Sequence, residues 1–428
     1  MTFRRVLAII KAETITEGRC YAVMKKKLLI LGIGMYCGGT EKAFLSFARN
    51  LDYTKYDVDL LLAKKEGLLL SEIPEQIRVM EMPQYGDMFL LSGANAVRTI
   101  WNSFVRHNPL CLFEVAPYLL KILLCPKKKS FTATRMWVHF MKKFPAVEGK
   151  YDIAAAYWGD RTMFYMADKV NADTKIAWLH FDYDHPPRDD RLYGKYFAAC
   201  DHVVTVSQKI NDSVQAKFPH LREKFCLIEN LNDAASVRAM SKVGQGYPDP
   251  EYTGTRILTV GRLAPQKGLD YAVEALGRLI ADGFDVRWYV LGPGETEDVK
   301  QLRSWAAEAG CADALVYLGQ TENPYPLIAG CDLYVQPSRH EGKPVTVEEA
   351  KMLCRPIVAS EYLSAREQLE DGELGEICPI SGEGVYLAVR ALLENPARRA
   401  ELTQKLAARD FSNTSEMQKF DRMAGFEL

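Results

Sequence analysis

Residues 331–360 read CDLYVQPSRHEGKPVTVEEAKMLCRPIVAS, and their pattern decides the fold. A short apolar run at 333–336 predicts a buried strand, and a polar loop follows it. Pro344 favours the first turn of a helix, where its missing N–H needs no partner. A second apolar run at 356–359 predicts the next strand. Strand, helix and strand in this order indicate a parallel β–α–β unit.

The same alternation extends over most of the chain. Continuous apolar runs are typical of parallel strands covered on both faces, and helical segments such as 270–282 and 298–310 lie between them. We therefore predict an α/β protein with two doubly wound parallel sheets, that is, two Rossmann-like domains that face a cleft. The predicted strands are 27–33, 57–62, 152–157, 175–179, 202–206 and 225–228 in the first half, and 256–260, 286–291, 315–317, 333–336, 356–359 and 375–378 in the second.

Length and composition set the domain boundaries. A chain of 428 residues is too long for one ordinary core. The polar stretch 242–255 contains Gly and Pro and predicts a linker, so the first domain covers 24–241 and the second 256–403. Met24 stands directly before the first predicted strand. Residues 1–23 are therefore predicted to lie outside the fold, with a short exposed helix as the alternative.

Charge and cysteine usage exclude several classes of protein. A net charge of −1 excludes the strongly basic field of a nucleic-acid-binding protein. The ten cysteines form neither a CxxC motif nor a Cys/His cluster, so we predict no metal site and no disulfide framework. Reduced thiols indicate a cytoplasmic protein. No run of about 18 apolar residues exists, so no membrane-spanning helix is expected.

Residues 98–150 break the alternation and predict a basic helical insertion. Between 121 and 150 the chain has eight Lys or Arg residues and one acid, Glu148, with apolar residues interleaved. This pattern fits an amphipathic helix on an anionic membrane surface, which would place the protein at the inner face of the cell membrane. The alternative is an ordinary helical insertion on the first sheet, with its lysines in solvent.

Glycines follow the first predicted strand, in the stretch LGIGMYCGGTEKA at 31–43. A dinucleotide fingerprint begins there, but Cys37 stands where its third glycine is required. Gly38 and Gly39 precede a helix predicted to begin near Thr40. Small residues at a helix N-terminus let backbone N–H groups approach a phosphate, although a tight turn alone also needs glycine.

The second half supplies cations and carboxylates in the corresponding loops. Arg262 and Lys267 follow a predicted strand and could neutralise a diphosphate. In the opening stretch, Glu341 lies in the loop after the strand, and Glu349 lies one to two turns into the helix. Carboxylates accept pairs of sugar hydroxyls, so Glu349 could hold a ribose and Glu341 a hexose. Gly342 and Lys343 lie between them at the helix N-terminus, which favours a phosphate.

Together these motifs resemble the retaining glycosyltransferases of family 4, which have the GT-B fold and include many bacterial enzymes of exopolysaccharide, capsule and cell-wall synthesis. The resemblance covers about residues 25–410. It includes the family's two glutamates separated by seven residues, here Glu341 and Glu349. The motifs are GGTE at 38–41, VGRLAPQKG at 260–268, VLGPGE at 290–295, YLGQTENPYPLIAGCDLYVQPS at 317–338 and EGKPVTVEEA at 341–350.

The resemblance implies transfer of a hexose, with retention and without a metal or other cofactor, from a nucleotide sugar that we expect to be UDP-linked. A glycan, a lipid-linked sugar or a polyol phosphate would be the acceptor. The resemblance also implies that residues 404–428 form a final helix that crosses back to the first domain. The implied catalytic residues are His180, Arg262, Lys267 and Glu341. The implied donor-binding residues are Gly38, Gly39, Thr40, Gly261, Arg262, Lys267, Glu341, Gly342, Lys343, Pro344, Val345 and Glu349.

The chain departs from the family pattern at two places. Lys343 stands where an aromatic residue is common, and residues 359–375 lack a Gly-Gly-x-Pro-Glu signature, which leaves the contacts to the sugar and the base open. Asp182 and Asp184 form an Asp-x-Asp pair that we interpret as acceptor-side or structural. Two alternatives are a catalytically silent GT-B subunit that activates a partner transferase, and a nicotinamide oxidoreductase. Intact cations and glutamates count against the first, and Cys37 against the second.

Overall fold

The computed structural model describes residues 25–91, 95–125 and 129–426, so the predicted extension at 1–23 lies outside the described residues. Two sheets, both entirely parallel, form the centres of two domains. The first has the strand order β3-β2-β1-β4-β5-β6-β7. Its strands are β1 Lys26–Gly32, β2 Tyr56–Leu62, β3 Ile77–Glu81, β4 Tyr151–Ala156, β5 Ala172–Leu179, β6 His202–Thr205 and β7 Phe225–Leu227.

The second sheet has six strands in the order β10-β9-β8-β11-β12-β13. Both orders reverse direction at one point, between β1 and β4 and between β8 and β11, as in doubly wound folds. The strands are β8 Thr255–Val260, β9 Val286–Leu291, β10 Leu315–Gly319, β11 Leu333–Gln336, β12 Ile357–Ser360 and β13 Glu376–Cys378.

Helices cover both faces of each sheet, and their apolar sides form two clusters of buried residues per domain. In the first domain the α-helices are Gly39–Asn50, Gly86–Phe89, Ala96–Ile100, Cys111–Leu124, Lys129–Met141, Asp160–Lys169, Asp190–Ala198 and Gln208–Lys217. The later α-helices are Ala234–Met240, Leu269–Ala281, Thr296–Glu308, Tyr325–Gly330, Val345–Met352, Ala365–Gln368, Gly382–Glu394, Pro396–Ala407 and Met417–Met423.

The predicted fold class is confirmed, and every predicted apolar run is a strand whose ends lie within three residues of the prediction. Sequence reasoning missed β3, the edge strand of the first sheet. Its sequence IRVME carries charges and is only partly buried. Arg78 of this strand donates to Asp59 of β2 across 2.7 Å. An edge strand with one solvated side lacks the continuous apolar run of a central parallel strand.

The packing differs from the predicted domain boundaries. The helix Ala234–Met240 precedes the predicted linker, yet Ala234 and Val237 belong to a core cluster of the second domain. The chain therefore crosses between the domains before residue 234. At the other end, residues 404–407 still belong to the helix Pro396–Ala407. The helix Met417–Met423 then packs on the first domain, where the ring of Phe420 lies 5.0 Å from that of Phe47.

The segment 98–150 is largely helical, and its inner side packs on the first domain. Phe104, Val115, Trp137 and Phe140 belong to one of that domain's core clusters. This confirms the packed insertion that was the alternative prediction. The outer side of the helix Cys111–Leu124, called the outer helix below, is nevertheless exposed and apolar. Among the described residues, no helix is both long and apolar enough to cross a bilayer.

Candidate active site

Loops at the carboxyl ends of both sheets, with those after β1, β4, β8 and β11 among them, enclose a cavity of about 270 Å³ between the domains, called the cleft below. These four strands stand at the two points where the strand order reverses. Connections leave such a point in opposite directions, which opens a crevice at the carboxyl ends of the strands. The cleft therefore occurs where the topology itself leaves room for a ligand.

The loop after β8 places two cations on the cleft wall, Arg262 in an exposed position and Lys267 half-buried. Gly268 ends this loop with φ 63°, and a Cβ there would lie 3.0 Å from the carbonyl carbon of Pro337 and closer still to its oxygen. Only glycine fits this position. Arg339 fixes the loop by donating to both carboxylate oxygens of Asp270, at 2.8 and 2.5 Å.

Glu341 and Lys267 contact each other across the base of the cleft. Lys267 Nζ lies 2.6 Å from Glu341 Oε1, and the two side chains are only 15% and 8% exposed. The same oxygen accepts hydrogen bonds from Ser338 Oγ at 2.7 Å and from Gln336 Nε2 at 3.3 Å. These bonds hold a carboxylate and an ammonium group in fixed positions with little water around them, where electrostatic interactions are stronger than in solvent.

The helix Val345–Met352 directs its N-terminus into the cleft, and Pro344 is its N-cap, one residue before the predicted first turn. Its first N–H groups have no partner within the helix and favour an anion. Lys343 is largely buried. Burial opposes its charge, but Glu348, Glu229 and Glu367 outweigh that effect and raise its pKa. Its Nζ lies 2.5 Å from Glu229 Oε1, so this cation is directed at carboxylates.

Glu349 does not line the cleft but an adjoining cavity of about 190 Å³. The side chain is 2% exposed. Its Oε1 accepts from Lys42 Nζ at 3.0 Å, and its Oε2 is buried without a protein hydrogen-bond partner. Lys42 belongs to the first-domain helix Gly39–Asn50 and lines both cavities. This ion pair therefore joins the two domains beside the cleft.

On the first domain, Gly38, Gly39 and Thr40 line the cleft as predicted. A Cβ at Gly39 would lie 3.9 Å from Val345 Cγ2, an ordinary contact, so protein neighbours do not require glycine there. Glu41 follows, with Trp158 Nε1 donating to its Oε1 across 3.4 Å. Burial raises the pKa of Glu41 to about 7. Sequence reasoning quoted this residue in a motif without giving it a role.

His180 follows β5 and lines the cleft, with its ring 4.7 Å from that of Tyr157. Its Nε2 is buried without a hydrogen-bond partner, as is Oδ1 of Asn230, another lining residue. Burial lowers the pKa of His180 to about 3, so the imidazole is neutral. The Asn230 side chain interacts with His180 and opposes this pKa shift without cancelling it, so the two polar groups lie together in the wall of the cleft.

Asp182 and Asp184 make protein contacts near the cleft without lining it. Asp182 Oδ2 lies 2.9 Å from His185 Nδ1. Asp184 accepts from Ser213 Oγ at 2.9 Å and pairs with Lys217. In the part of the chain that the structure describes, no group of three or more His, Cys, Asp or Glu side chains could hold a metal ion.

The structure thus brings all predicted site residues except Glu349 to one cleft, and it adds residues that sequence reasoning missed. Lys42 could have been found, because it stands one turn into the helix that follows the glycine pair. Trp158, Phe181 and Asn230 follow predicted strands of the first domain and had no motif to mark them. Gly159 likewise had no motif to mark it. The remaining lining residues stand in stretches that the sequence analysis quoted without giving them a role in binding: Cys37, Val260, Gln266, Leu291, Gly292, Pro293, Gln320, Thr321, Pro324 and Thr346.

Comparison with known proteins gives matches over both domains. Residues 250–409 match the family model described as glycosyl transferases group 1. Over 389 residues the chain is 26% identical to an uncharacterized glycosyltransferase of Haemophilus influenzae. The alignment covers 89% of this chain and 94% of that protein. Over 258 residues it is 25% identical to the lipopolysaccharide core biosynthesis glycosyltransferase LpsE of Rhizobium meliloti, covering 56% of this chain and 71% of LpsE.

The crystal structure of Anabaena Alr3699/HepE in complex with UDP-glucose superimposes with a TM-score of 0.65 and 16% identity. The superposition covers 94% of this chain and 99% of the Anabaena chain. Because both domains are included, the likeness establishes the GT-B fold for the whole described chain.

Proposed function

We propose that this protein is a glycosyltransferase that moves a hexose from a nucleotide sugar to an acceptor in cell-surface polysaccharide synthesis. One observation carries the proposal. Arg262, the Lys267–Glu341 pair and the N-terminus of the helix Val345–Met352 meet in one cleft, opposite Gly39 and His180. Cations and helix N–H groups that converge on one point suit a diphosphate.

The reaction explains why such groups are needed. The bond between the anomeric carbon and the diphosphate breaks, a bond forms to an acceptor hydroxyl oxygen, and the hydroxyl proton leaves with the nucleotide. Negative charge grows on the diphosphate while the sugar becomes oxocarbenium-like. Fixed positive groups such as Arg262 and Lys267 stabilise that charge without reorganising. A neutral His180 can bind a sugar hydroxyl without placing a cation beside the oxocarbenium ion.

The donor is proposed to be UDP-linked. The Anabaena protein with the same fold was crystallised with UDP-glucose, which supports this choice. Glu349 Oε2 has no well-placed hydrogen-bond donor, although Tyr325 lies beside the carboxylate, and in the adjoining cavity this oxygen can accept from ribose hydroxyls. The proposal also includes retention of the anomeric configuration. It includes no metal ion, because the cations and the helix N-terminus can neutralise the charge of the diphosphate.

The acceptor is proposed to be a glycan, a lipid-linked sugar or a polyol phosphate, reached from the inner face of the cell membrane. The name of the Rhizobium relative supports a cell-surface glycan. The outer helix supports peripheral membrane contact, because Leu120, Leu123 and Leu124 are 57–77% exposed and Lys121 stands among them. Apolar residues beside cations favour an anionic bilayer surface.

Thermal unfolding with UDP, GDP, ADP and NAD, each added alone, tests the proposal. A ligand at a hundred times its dissociation constant adds about 2.7 kcal/mol of stability, which moves the midpoint measurably. We expect stabilisation by UDP, followed by release of UDP from one UDP-hexose when an acceptor extract is added. Stabilisation by NAD alone would refute a transferase. UDP binding without release from any UDP-hexose would favour a silent subunit.

A further inference from the structure

A second opening in the first domain is larger than the cleft and has a different character. This apolar cavity, of about 780 Å³, lies between the outer helix, the helix Lys129–Met141 and the segment 96–105, beside the start of the helix Asp160–Lys169. Its lining is predominantly apolar: buried Met136, Trp137 and Phe164 lie deep in it, and Trp101 and Leu119 are 53% and 44% exposed.

The volume of the apolar cavity is too large for an ordinary packing defect. Protein interiors are close-packed and contain few voids larger than a water molecule. A volume of about 780 Å³ is instead in the range of ligand-binding pockets. The outer helix also presents Phe113, Leu120 and Leu123 to solvent beside it, and contiguous exposed apolar surface marks an interaction site.

One segment of the chain contributes consecutive residues to the cleft and to the apolar cavity. Trp158 and Gly159 line the cleft, and the next two residues, Asp160 and Arg161, line the apolar cavity. Arg161 donates to the carbonyl oxygens of Phe89 at 2.6 Å and Leu91 at 2.7 Å, which fixes this wall. Oδ2 of Asp160 lies 3.6 Å from Arg188 Nε, and its Oδ1 is buried without a well-placed hydrogen-bond donor.

We infer that the apolar cavity binds the hydrocarbon chain of a lipid-linked acceptor whose sugar lies in the cleft, an inference that rests on the proposed function. Three observations favour this occupant over an apolar segment of a protein. The cleft and the apolar cavity lie at neighbouring residues of one segment, Gly159 and Asp160. Lys129 lines the apolar cavity, and Arg98 and Lys121 are exposed on the elements that form it, which suits a phosphate head group. The exposed leucines of the outer helix, Leu120, Leu123 and Leu124, stand beside the cavity on the surface that the proposed function places against a membrane.

Tryptophan fluorescence tests the inference, because Trp101 and Trp137 line the apolar cavity. The probe is 11-bromoundecyl phosphate, used as a monomer, whose bromine quenches only an indole that it approaches closely. We expect saturable quenching of the wild-type protein that decreases when Trp101 and Trp137 are each replaced by Phe. The same alkyl chain as 11-bromoundecanol should bind more weakly, and inorganic phosphate should not compete.

Two variants of the lining and one control make the test specific. Leu119→Glu places a charge at the mouth, and Ala133→Phe fills space inside. Each should weaken the probe's affinity by about tenfold or more, because the alkyl chain would contact a charged group in one variant and lose the space that it occupies in the other. Leu387→Glu is the matched control, because Leu387 is a 52% exposed leucine on a helix of the second domain. UDP-induced stabilisation is measured on the same samples.

Each outcome decides between the occupants. Saturable quenching that only the lining variants weaken supports the inference. No quenching, or equal affinity in Leu119→Glu and wild type, overturns it and leaves the proposed function intact if UDP still stabilises the protein. A wild-type dimer in sedimentation that Leu119→Glu dissociates overturns it in favour of a second copy. Quenching without stabilisation by any nucleotide refutes the proposed function and, with it, the acceptor assignment.

Discussion

Gly342→Ala should lower turnover strongly while leaving both domains folded. At Gly342 the second domain approaches the backbone of the first: a Cβ there would lie 2.8 Å from the carbonyl carbon of His180, 3.0 Å from Phe181 Cα, and closer still to His180 O. These are backbone atoms, so no side-chain rotation relieves the overlap. The backbone of Gly342 itself is open to alanine, because its φ lies outside the left-handed region.

The size of the effect follows from the geometry. To move from 2.8 Å to the 3.4 Å of an ordinary contact, the two chain segments must separate by at least 0.6 Å, and the nearer carbonyl oxygen demands more. His180 and the N-terminus of the helix Val345–Met352 lie beside this contact, so the reacting groups move apart together. A displacement of roughly 1 Å in an active site can cost about a hundredfold in rate.

The assay compares turnover, UDP affinity and thermal stability in three variants. Gly246→Ala is the inert control, because no atom lies within 4 Å of its Cβ position. Gly39→Ala has room in the free protein, so any loss there reports the approach of the ligand rather than of the other domain. We expect Gly342→Ala to lose turnover with little change in the unfolding midpoint. Unchanged turnover, or a loss of stability that accounts for the lost activity, would refute the reasoning.

Four further predictions follow from single side chains. Lys267→Ala should lower turnover by roughly a hundredfold or more without unfolding the protein, because it removes a fixed cation at the departing diphosphate; near-normal turnover in a UDP-release assay would reject its role. Glu349→Gln should weaken UDP binding by about tenfold through the loss of a charged hydrogen-bond acceptor, and calorimetry that finds an unchanged affinity would remove it from the ribose site. Leu120→Glu should reduce salt-sensitive sedimentation with phosphatidylglycerol vesicles, whereas Leu387→Glu should not. The pKa of Glu41 is about 7 in the folded state, above the ordinary value of 4.5. Between pH 4.5 and 7 the folded state therefore binds more protons than the unfolded state, and the free energy of unfolding falls as pH rises through this range. Glu41→Gln should abolish this fall, worth up to about 3 kcal/mol, in unfolding experiments at pH 5 and 8; an identical pH dependence in both proteins would contradict it.

Much of the fold could be predicted because parallel strands buried on both faces must be apolar throughout. The runs at 286–291 and 333–336 coincide with β9 and β11 for this reason. β3 escaped because an edge strand meets solvent along one side, so its sequence includes charged residues such as Arg78, which pairs with Asp59 of the neighbouring strand β2 and dilutes the apolar signal. The domain boundary could not be predicted for another reason. The helix Ala234–Met240 has an apolar side that could cover either sheet, and only the packing shows that it covers the second.

The same distinction holds for the residues of the site: some follow from local sequence, and others depend on how distant segments pack. Arg262, Lys267 and Glu341 could be predicted because short loops after strands bring them to one end of a sheet whatever the other domain does. Contacts that join two distant segments could not. Lys42 and Glu349 are separated by 307 positions, and the apolar cavity arises from the angle between helices. The many lysines in 121–150 predicted a basic surface there, but nothing in the sequence predicted the apolar cavity beside it.

The two ion pairs, one in the cleft and one in the adjoining cavity, bear on how the proposed nucleotide could bind among buried carboxylates. A buried carboxylate without a partner is costly, and Lys267 and Lys42 supply partners to Glu341 and Glu349. A diphosphate can share Lys267, because the oxygen of Glu341 that it contacts also has Ser338 as a donor. Ribose hydroxyls can bond to Glu349 Oε2, the oxygen that Lys42 leaves without a partner. A nucleotide bound as proposed would therefore leave no buried charge unpaired.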